Sequence, residues 1–202
     1  MLGLEVERPY FARGSRRVAG VDEVGRGPWA GPVIAAAVVV EPDTPLLEGV
    51  NDSKLVTGRR REQLAAAIVS TLTYAVGAAS TREIDRLNIR RATVLAMRRA
   101  LSRLPTAADT VLVDGLPVPD LEMAHEAIVD GDAKSYSIAC ASIVAKTVRD
   151  RLMRLLAARY PDYGWDHNCG YGTPAHRDAI ERSGVTPHHR LSFTPVVQRN
   201  LF

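Results

Sequence analysis

Asp22 and Glu23 stand side by side in the stretch VAGVDEVGRGPWAG, after an apolar run and just before Gly25, Arg26 and Gly27. Paired carboxylates repel a phosphate, whereas glycine backbone and an arginine invite one. A divalent cation between them reconciles the two demands. Two more acids close apolar runs: Asp114 follows TVLV and Asp132 follows AIVDG. Acids are depleted in strands and rarely buried without a partner. Any one of them alone reads as a turn residue facing water. Strand ends lying side by side would gather them, and their mutual repulsion would raise some pKa values unless a cation neutralised it. An all-oxygen, hard donor set suits Mg²⁺ or Mn²⁺ rather than zinc. Successive strand side chains face opposite ways, so Asp22 and Glu23 share a site only where the strand ends or bends, with Gly25 as the hinge.

Gly25, Gly27 and Ala30 formally match a G-x-G-x-x-A dinucleotide fingerprint. That fingerprint needs a helix N-terminus next, to hold a pyrophosphate. Pro28, Pro32 and a β-branched run follow instead, so the dinucleotide reading is rejected. The loop can press its backbone against a hydroxyl or phosphate, with Arg26 assisting. Lys54 in NDSK precedes a helix whose first turn holds Arg59, Arg60 and Arg61. Arg90, Arg91 and Arg98 share a helical arc, and Ser142, Lys146 and Arg149 share a face of a longer helix. Such groups are candidates for positioning a phosphate backbone. Tyr171, between two glycines, can stack on a sugar or base while its hydroxyl makes a hydrogen bond. His167, Cys169, His176, His188 and His189 crowd the C-terminal quarter without a common zinc spacing.

The elements that must position these groups follow from periodicity. RVAGVDE and PVIAAAVVV read as strands joined through the glycine turn, and TYAVGAAS as a third. DTVLVDG and EAIVDGD supply two more. Helices are expected after Thr57, after caps at Thr81 and Asn88, and from about Ser137 to Arg159. On the last, Ala141, Val144, Ala145, Val148, Leu152, Leu155 and Leu156 form the expected core stripe. A short helix follows around HRDAIERSG. Strands interleaved with helices and opened by a hairpin predict an α/β fold, a mixed sheet with helices packed on it. At 202 residues, 24% charged and net +3, one soluble domain over 1–202 is expected, with room for a basic surface. Two cysteines do not suggest a disulfide framework. The start lacks the form of a signal peptide, and VIAAAVVV is too short to span a bilayer. A cytoplasmic monomer is the expectation.

Taken together, GVDEVGRGPWAGPV, NDSK, EID, VDG, GD…SIACASIVAKTVRD, GYGTPAH and HRLSF closely resemble bacterial ribonuclease HII, in order from about Ala19 to Phe193. The resemblance implies a ribonuclease-H-like fold: a five-stranded mixed sheet, helices on both sides and a small helical C-terminal part from about 161. It places the family's acidic quartet on Asp22, Glu23, Asp114 and Asp132, with metal held by Asp22, Glu23 and Asp114. Gly25, Arg26, Gly27, Lys54, Ser142, Lys146 and Tyr171 fall in the substrate-binding set, Tyr171 sensing the ribose. Two Mg²⁺ or Mn²⁺ ions are implied, as is cleavage of RNA–DNA hybrids and incision 5′ to single ribonucleotides in duplex DNA, leaving 3′-OH and 5′-phosphate ends. Two positions depart from the pattern. Asp130 stands where a basic residue is common, beside Asp132, and Cys169 replaces a common basic residue before GYGT. The terminal QRNLF resembles a sliding-clamp docking peptide, which makes Gln198–Phe202 a candidate hook. The rival classes are another nuclease of the same fold, such as a proofreading exonuclease, and a non-catalytic nucleic-acid-binding module. Exonucleases of that kind begin with acids two apart on a strand; here they are adjacent.

Overall fold

The computed structural model describes residues 2–51, 53 and 56–197. Its centre is a five-stranded mixed sheet in the order β3-β2-β1-β4-β5, made of β1 (Val18–Val24), β2 (Val33–Val40), β3 (Thr73–Ala79), β4 (Thr110–Asp114) and β5 (Glu126–Ile128). β1 pairs antiparallel with β2 and parallel with β4. β2 pairs antiparallel with β3, and β4 parallel with β5. Every residue of β2 is buried, which accounts for its unbroken apolar run: both of its faces are covered.

One face carries α6 (Tyr136–Arg159) and, outside it, α2 (Gly58–Thr71); the other carries α4 (Ile89–Ser102), preceded by α3 (Thr81–Leu87). Two strand glycines let the helices come close. A Cβ on Gly20 would stand 2.2 Å from the Ser137 carbonyl carbon, and one on Gly77 would stand 2.0 Å from Ala96 O. Alternation along β1 follows from this layering. Val18 faces the α6 core, whereas Ala19 and Val21 face the α4 core.

Thr57 and Asn88 cap α2 and α4 as expected, with Asn88 in the left-handed region at φ 69°. The cap of α3 is Ser80 rather than Thr81; Ser80 and Glu83 form a reciprocal capping box. The last strand is shorter than expected. Asp130 turns left-handed at φ 55°, so Asp132 lies on the short helix α5 (Gly131–Lys134) and not at a strand end. A short helix α1 (Arg8–Ala12) that periodicity did not indicate precedes β1, and Glu7 beside it is fully buried. Its Oε1 accepts from Ser135 Oγ, Ser137 N and Ser137 Oγ at 2.6–2.9 Å, holding the start of α6.

The stripe on α6 holds only in part. Ala141, Val144 and Ala145 are buried, but Val148 and Leu155 are exposed. The buried row continues instead through Arg149, Met153 and Ala157. There the helix has left the sheet and meets α7 (Trp165–Asn168) and α8 (Pro174–Ser183), which share a separate core cluster with Met153, Ala157 and Tyr163. Short α9 (Thr194–Val197) ends the described chain. Among the described residues no helix is long and apolar enough to cross a membrane.

Candidate active site

Asp22 lies near the end of β1 and Asp114 is the last residue of β4. The β1–β4 register ends at Val21↔Val113, so these acids are the next residues of adjoining parallel strands, whose backbones run about 4.8 Å apart. They share parity with Val18 and Leu112 of the α6 core. Glu23 has the opposite parity and lines a cleft on the α4 side with Arg26, Arg90, Met97 and Asp114. No bend brings Asp22 and Glu23 together, contrary to the simple expectation: β1 stays paired with β2 as far as Val24↔Ile34. It is the end of β4 that places Asp114 within electrostatic reach of both.

Asp22 is buried, and its Oδ1 accepts from Glu23 N at 2.7 Å. Burial first, then the charges of Glu23 and Asp114, push its carboxyl well above the ordinary carboxylate range. A bond from the Ser142 hydroxyl opposes the rise. Ser142 is itself buried on α6, 2.9 Å from Ser53 Oγ. Burial also raises Glu23, which Arg26 Nη1 restrains from 3.1 Å. Asp114 Oδ1 accepts from Gly131 N at 2.7 Å and lies 3.4 Å from Asp132 N. Asp132 thereby adjoins Asp114 and is buried. Asp130 is exposed and stands 3.8 Å from Lys134 Nζ.

The carboxylates are neighbours without forming a closed chelate: among the described residues, no three His, Cys, Asp or Glu side chains are gathered to enclose an ion. The donor set nevertheless fits a hard divalent cation, because buried, mutually repelling carboxylates are what such a charge relieves. An open arrangement suits Mg²⁺, which binds through one or two carboxylates together with substrate phosphates rather than in an all-protein cage.

Gly25 takes φ 90°, and a Cβ there would collide with Arg149 Nε. Tyr171 is half exposed, and a Cβ on Gly27 would stand 3.5 Å from its ring. The glycine loop and the tyrosine are thus brought together. Lys146 Nζ lies 2.7 Å from Asp150, which also holds Arg61 at 3.1 Å. Lys54 lies outside the described residues, as does Gln198–Phe202. Arg149, expected on an exposed face with Ser142 and Lys146, is fully buried and donates to Pro32 O, Cys169 O and Ala30 O at 3.0–3.1 Å. Arg90 pairs with Asp120 and Arg98 with Glu122, so both are committed to neighbouring acids.

Sequence reasoning missed the structural part of Arg149, and of Arg190 within HRLSF. Arg190 is also fully buried and donates to the carbonyls of Gly25, Arg26 and Gly31. A signal for Arg149 existed: it continues the row of every fourth residue from Ala141 and Ala145 to Met153 and Ala157. His176, His188 and His189 pack as a ring cluster with Trp165 and Tyr163, whereas His167 is exposed beside Asp166, and no metal set is gathered among the described residues.

A helix-flanked five-stranded mixed sheet with acids at adjoining strand ends is an arrangement suited to a metal-dependent nuclease, and known proteins of similar sequence and fold are ribonucleases H. The family description Ribonuclease HII matches residues 19–196. The ribonuclease HII of Paracoccus denitrificans is 54% identical over 192 residues, 95% of this chain and 91% of that protein. Among solved structures, the Archaeoglobus fulgidus ribonuclease HII in a complex with PCNA superposes with a TM-score of 0.72 at 27% identity, covering 86% of this chain and 92% of that one. Bst-RNase HIII in complex with Mn²⁺ gives 0.76 at 22% identity, covering 93% and 70%, a likeness of fold. The chain belongs to the ribonuclease HII family, metal-dependent hydrolases with ribonuclease H activity on RNA–DNA hybrids.

Proposed function

We propose that this enzyme, acting as a single domain, also incises duplex DNA on the 5′ side of a single embedded ribonucleotide, leaving 3′-OH and 5′-phosphate ends. The observation that carries the reading is that Asp22, Glu23 and Asp114 lie within electrostatic reach of one another at adjoining strand ends, with the glycine loop next to the Tyr171 ring. Asp22, Glu23 and Asp114 would hold two Mg²⁺ or Mn²⁺ ions, and the Mn²⁺ complex of the Bst-RNase HIII supports that choice of cation. When bound, such ions activate water and stabilise both oxygens of an in-line displacement. Arg26, 3.1 Å from Glu23, opposes the rise of its pKa and holds its carboxylate in the cleft. Ser142 orients Asp22 through its hydroxyl. Asp132, next to Asp114, is the fourth carboxylate, and the exposed Asp130 is not a competitor for that place. Gly25, Arg26 and Gly27 present backbone groups to the 2′-hydroxyl, the group that marks RNA, while Tyr171 stacks on the sugar and its hydroxyl hydrogen-bonds the ribose. Lys146 and Lys54 contact the duplex backbone.

The reading extends to an enzyme of the cytoplasm that acts as a monomer in replication and ribonucleotide excision repair. The PCNA complex of the archaeal relative supports clamp docking here through Gln198–Phe202. Deleting those five residues is expected to remove clamp association and leave cleavage of a short duplex intact.

A duplex with one internal ribonucleotide tests the incision. With Mg²⁺ or Mn²⁺ it should yield one discrete internal nick, and chelator should abolish it. Progressive shortening from an end would instead place the enzyme with exonucleases. Binding with no cleavage above background would make it a binding module.

A further inference from the structure

Gly27 and Tyr171 meet although both lie outside regular elements, Gly27 between β1 and β2 and Tyr171 between α7 and α8. His188–Arg190 is one link between their two sides, beside the direct bonds that Trp29 N and Ala30 N donate to Gly170 O at 2.8 and 3.3 Å. His189 forms an antiparallel bridge with Ala30, Gly31 N donates to His188 O, and Arg190 N donates to Trp29 O, the last two at 2.8 Å. From this segment two arms extend. Toward the glycine loop, the Arg190 guanidinium donates to the carbonyls of Gly25, Arg26 and Gly31.

Toward Tyr171 the arm is a relay whose proton positions follow from donors that have no alternative. Thr186 N can only donate, and it lies 2.9 Å from His189 Nδ1, so the His189 proton sits on Nε2. That N–H faces His176 Nε2 at 3.1 Å, which must accept; the Trp165 indole N–H, also at 3.1 Å, donates to the same atom. The His176 proton is therefore on Nδ1, donating to the Tyr171 carbonyl at 2.9 Å. Trp165, His176 and His189 are all at most 1% exposed. Burial keeps both imidazoles neutral, with His189 pushed down to about 3 and His176 lowered, so the relay keeps its one direction.

We propose that His189 and Arg190 are positioning residues, a two-armed clamp that sets the spacing between the Gly25–Gly27 backbone and Tyr171 and through it the selectivity for ribose. This rests on reading those two as the sensor of the 2′-hydroxyl. A cluster that merely packed the C-terminal helices would have no reason to spend Arg190 on the carbonyls of Gly25 and Arg26.

The test compares KM for a duplex with one embedded ribonucleotide with the inhibition constant of the same duplex made entirely of DNA. Arg190→Lys reaches fewer of the three carbonyls. It is expected to raise KM about tenfold with the inhibition constant unchanged, the order of effect of a slightly misplaced recognition group. His189→Leu, which removes the His189 link to His176 while Trp165 still holds the His176 proton on Nδ1, should do the same, and His189→Gln, which retains a donor toward His176, should recover most of it. Combined with Tyr171→Phe, Arg190→Lys should add little, because both act through one spacing. Losses that multiply in the double variant, or an unchanged ratio in both Arg190→Lys and His189→Leu while Tyr171→Phe lowers it, would overturn the clamp. Should Arg190→Lys fail to fold, the His189 pair decides alone. An unchanged ratio in Tyr171→Phe contradicts the sensor reading itself, a different failure.

Discussion

Two regions on either side of the Gly25–Gly27 loop bury charge of opposite sign and satisfy it in opposite ways. Beneath the loop, Arg149 and Arg190 are fully buried, and each gives its donors to three backbone carbonyls. Burial depresses both, and the charge of Arg149 helps bring Arg190 down to about 9, which still leaves it charged at neutral pH. At the strand ends, Asp22 and Glu23 are raised by burial, and Asp114 adds to the repulsion. The arginines are completed from within the fold. The carboxylates are left with a demand that a cation from outside would meet. An internally satisfied buried charge belongs to architecture, and an unsatisfied one marks a place built for a ligand.

That contrast breaks most sharply at the carboxylates. Asp22→Asn and Asp114→Asn should each lower hybrid cleavage by on the order of 10³-fold or more while the protein remains folded. A steady-state assay on an RNA–DNA hybrid, with circular dichroism as the folding control, checks this; residual activity within tenfold of the unmutated enzyme would remove the residue from the site. The arginine side should behave the other way. Arg149→Leu leaves the carbonyls of Ala30, Pro32 and Cys169 without their donor and should cost roughly 3–5 kcal/mol by urea denaturation. If stability were unchanged, the internal satisfaction inferred here would be wrong.

A smaller effect of opposite sign sharpens the comparison. Asp22 has a raised folded-state pKa, so its favourable, protonated state is fully present below the unfolded pKa, and that stability is lost as pH rises through the folded value. Asp22→Asn should therefore stabilise the metal-free protein at neutral pH, read as a rise in Tm. The gain should shrink as pH falls and Asp22 takes up its proton. The same raised pKa values make cation binding fail, as pH drops, earlier than an ordinary carboxylate near 4 would dictate. The smallest effect falls on the surface: Arg90 is largely exposed and paired with Asp120 at 3.0 Å, so Arg90→Ala should change stability by less than about 1 kcal/mol.

Much of this contrast was legible in the residues, but only on one side. Acids at the ends of apolar runs stand out because strands disfavour them, and Asp22, Glu23 and Asp114 were found that way. The five strands follow from β-branched and apolar runs, and the Asn88 cap from a residue type that tolerates its left-handed backbone. EAIVDGD is apolar enough to extend a strand as far as Asp132, and nothing local announces that Asp130 turns left-handed. Ser80 and Thr81 are both good caps, and the choice fell to Glu83, which answers Ser80. The arginines were hidden for a deeper reason. Residue type argues against burying them, and the carbonyls of Ala30, Pro32, Gly25 and Gly31 that make it tolerable lie far off in the chain.

Titrating Mn²⁺ into the protein by calorimetry, in the presence of an uncleavable hybrid, addresses the strand-end carboxylates most directly. Saturable binding to the unmutated chain, greatly weakened in both Asp22→Asn and Asp114→Asn, is the expected outcome. Equal affinity and stoichiometry in all of them would show that these carboxylates do not hold the cation.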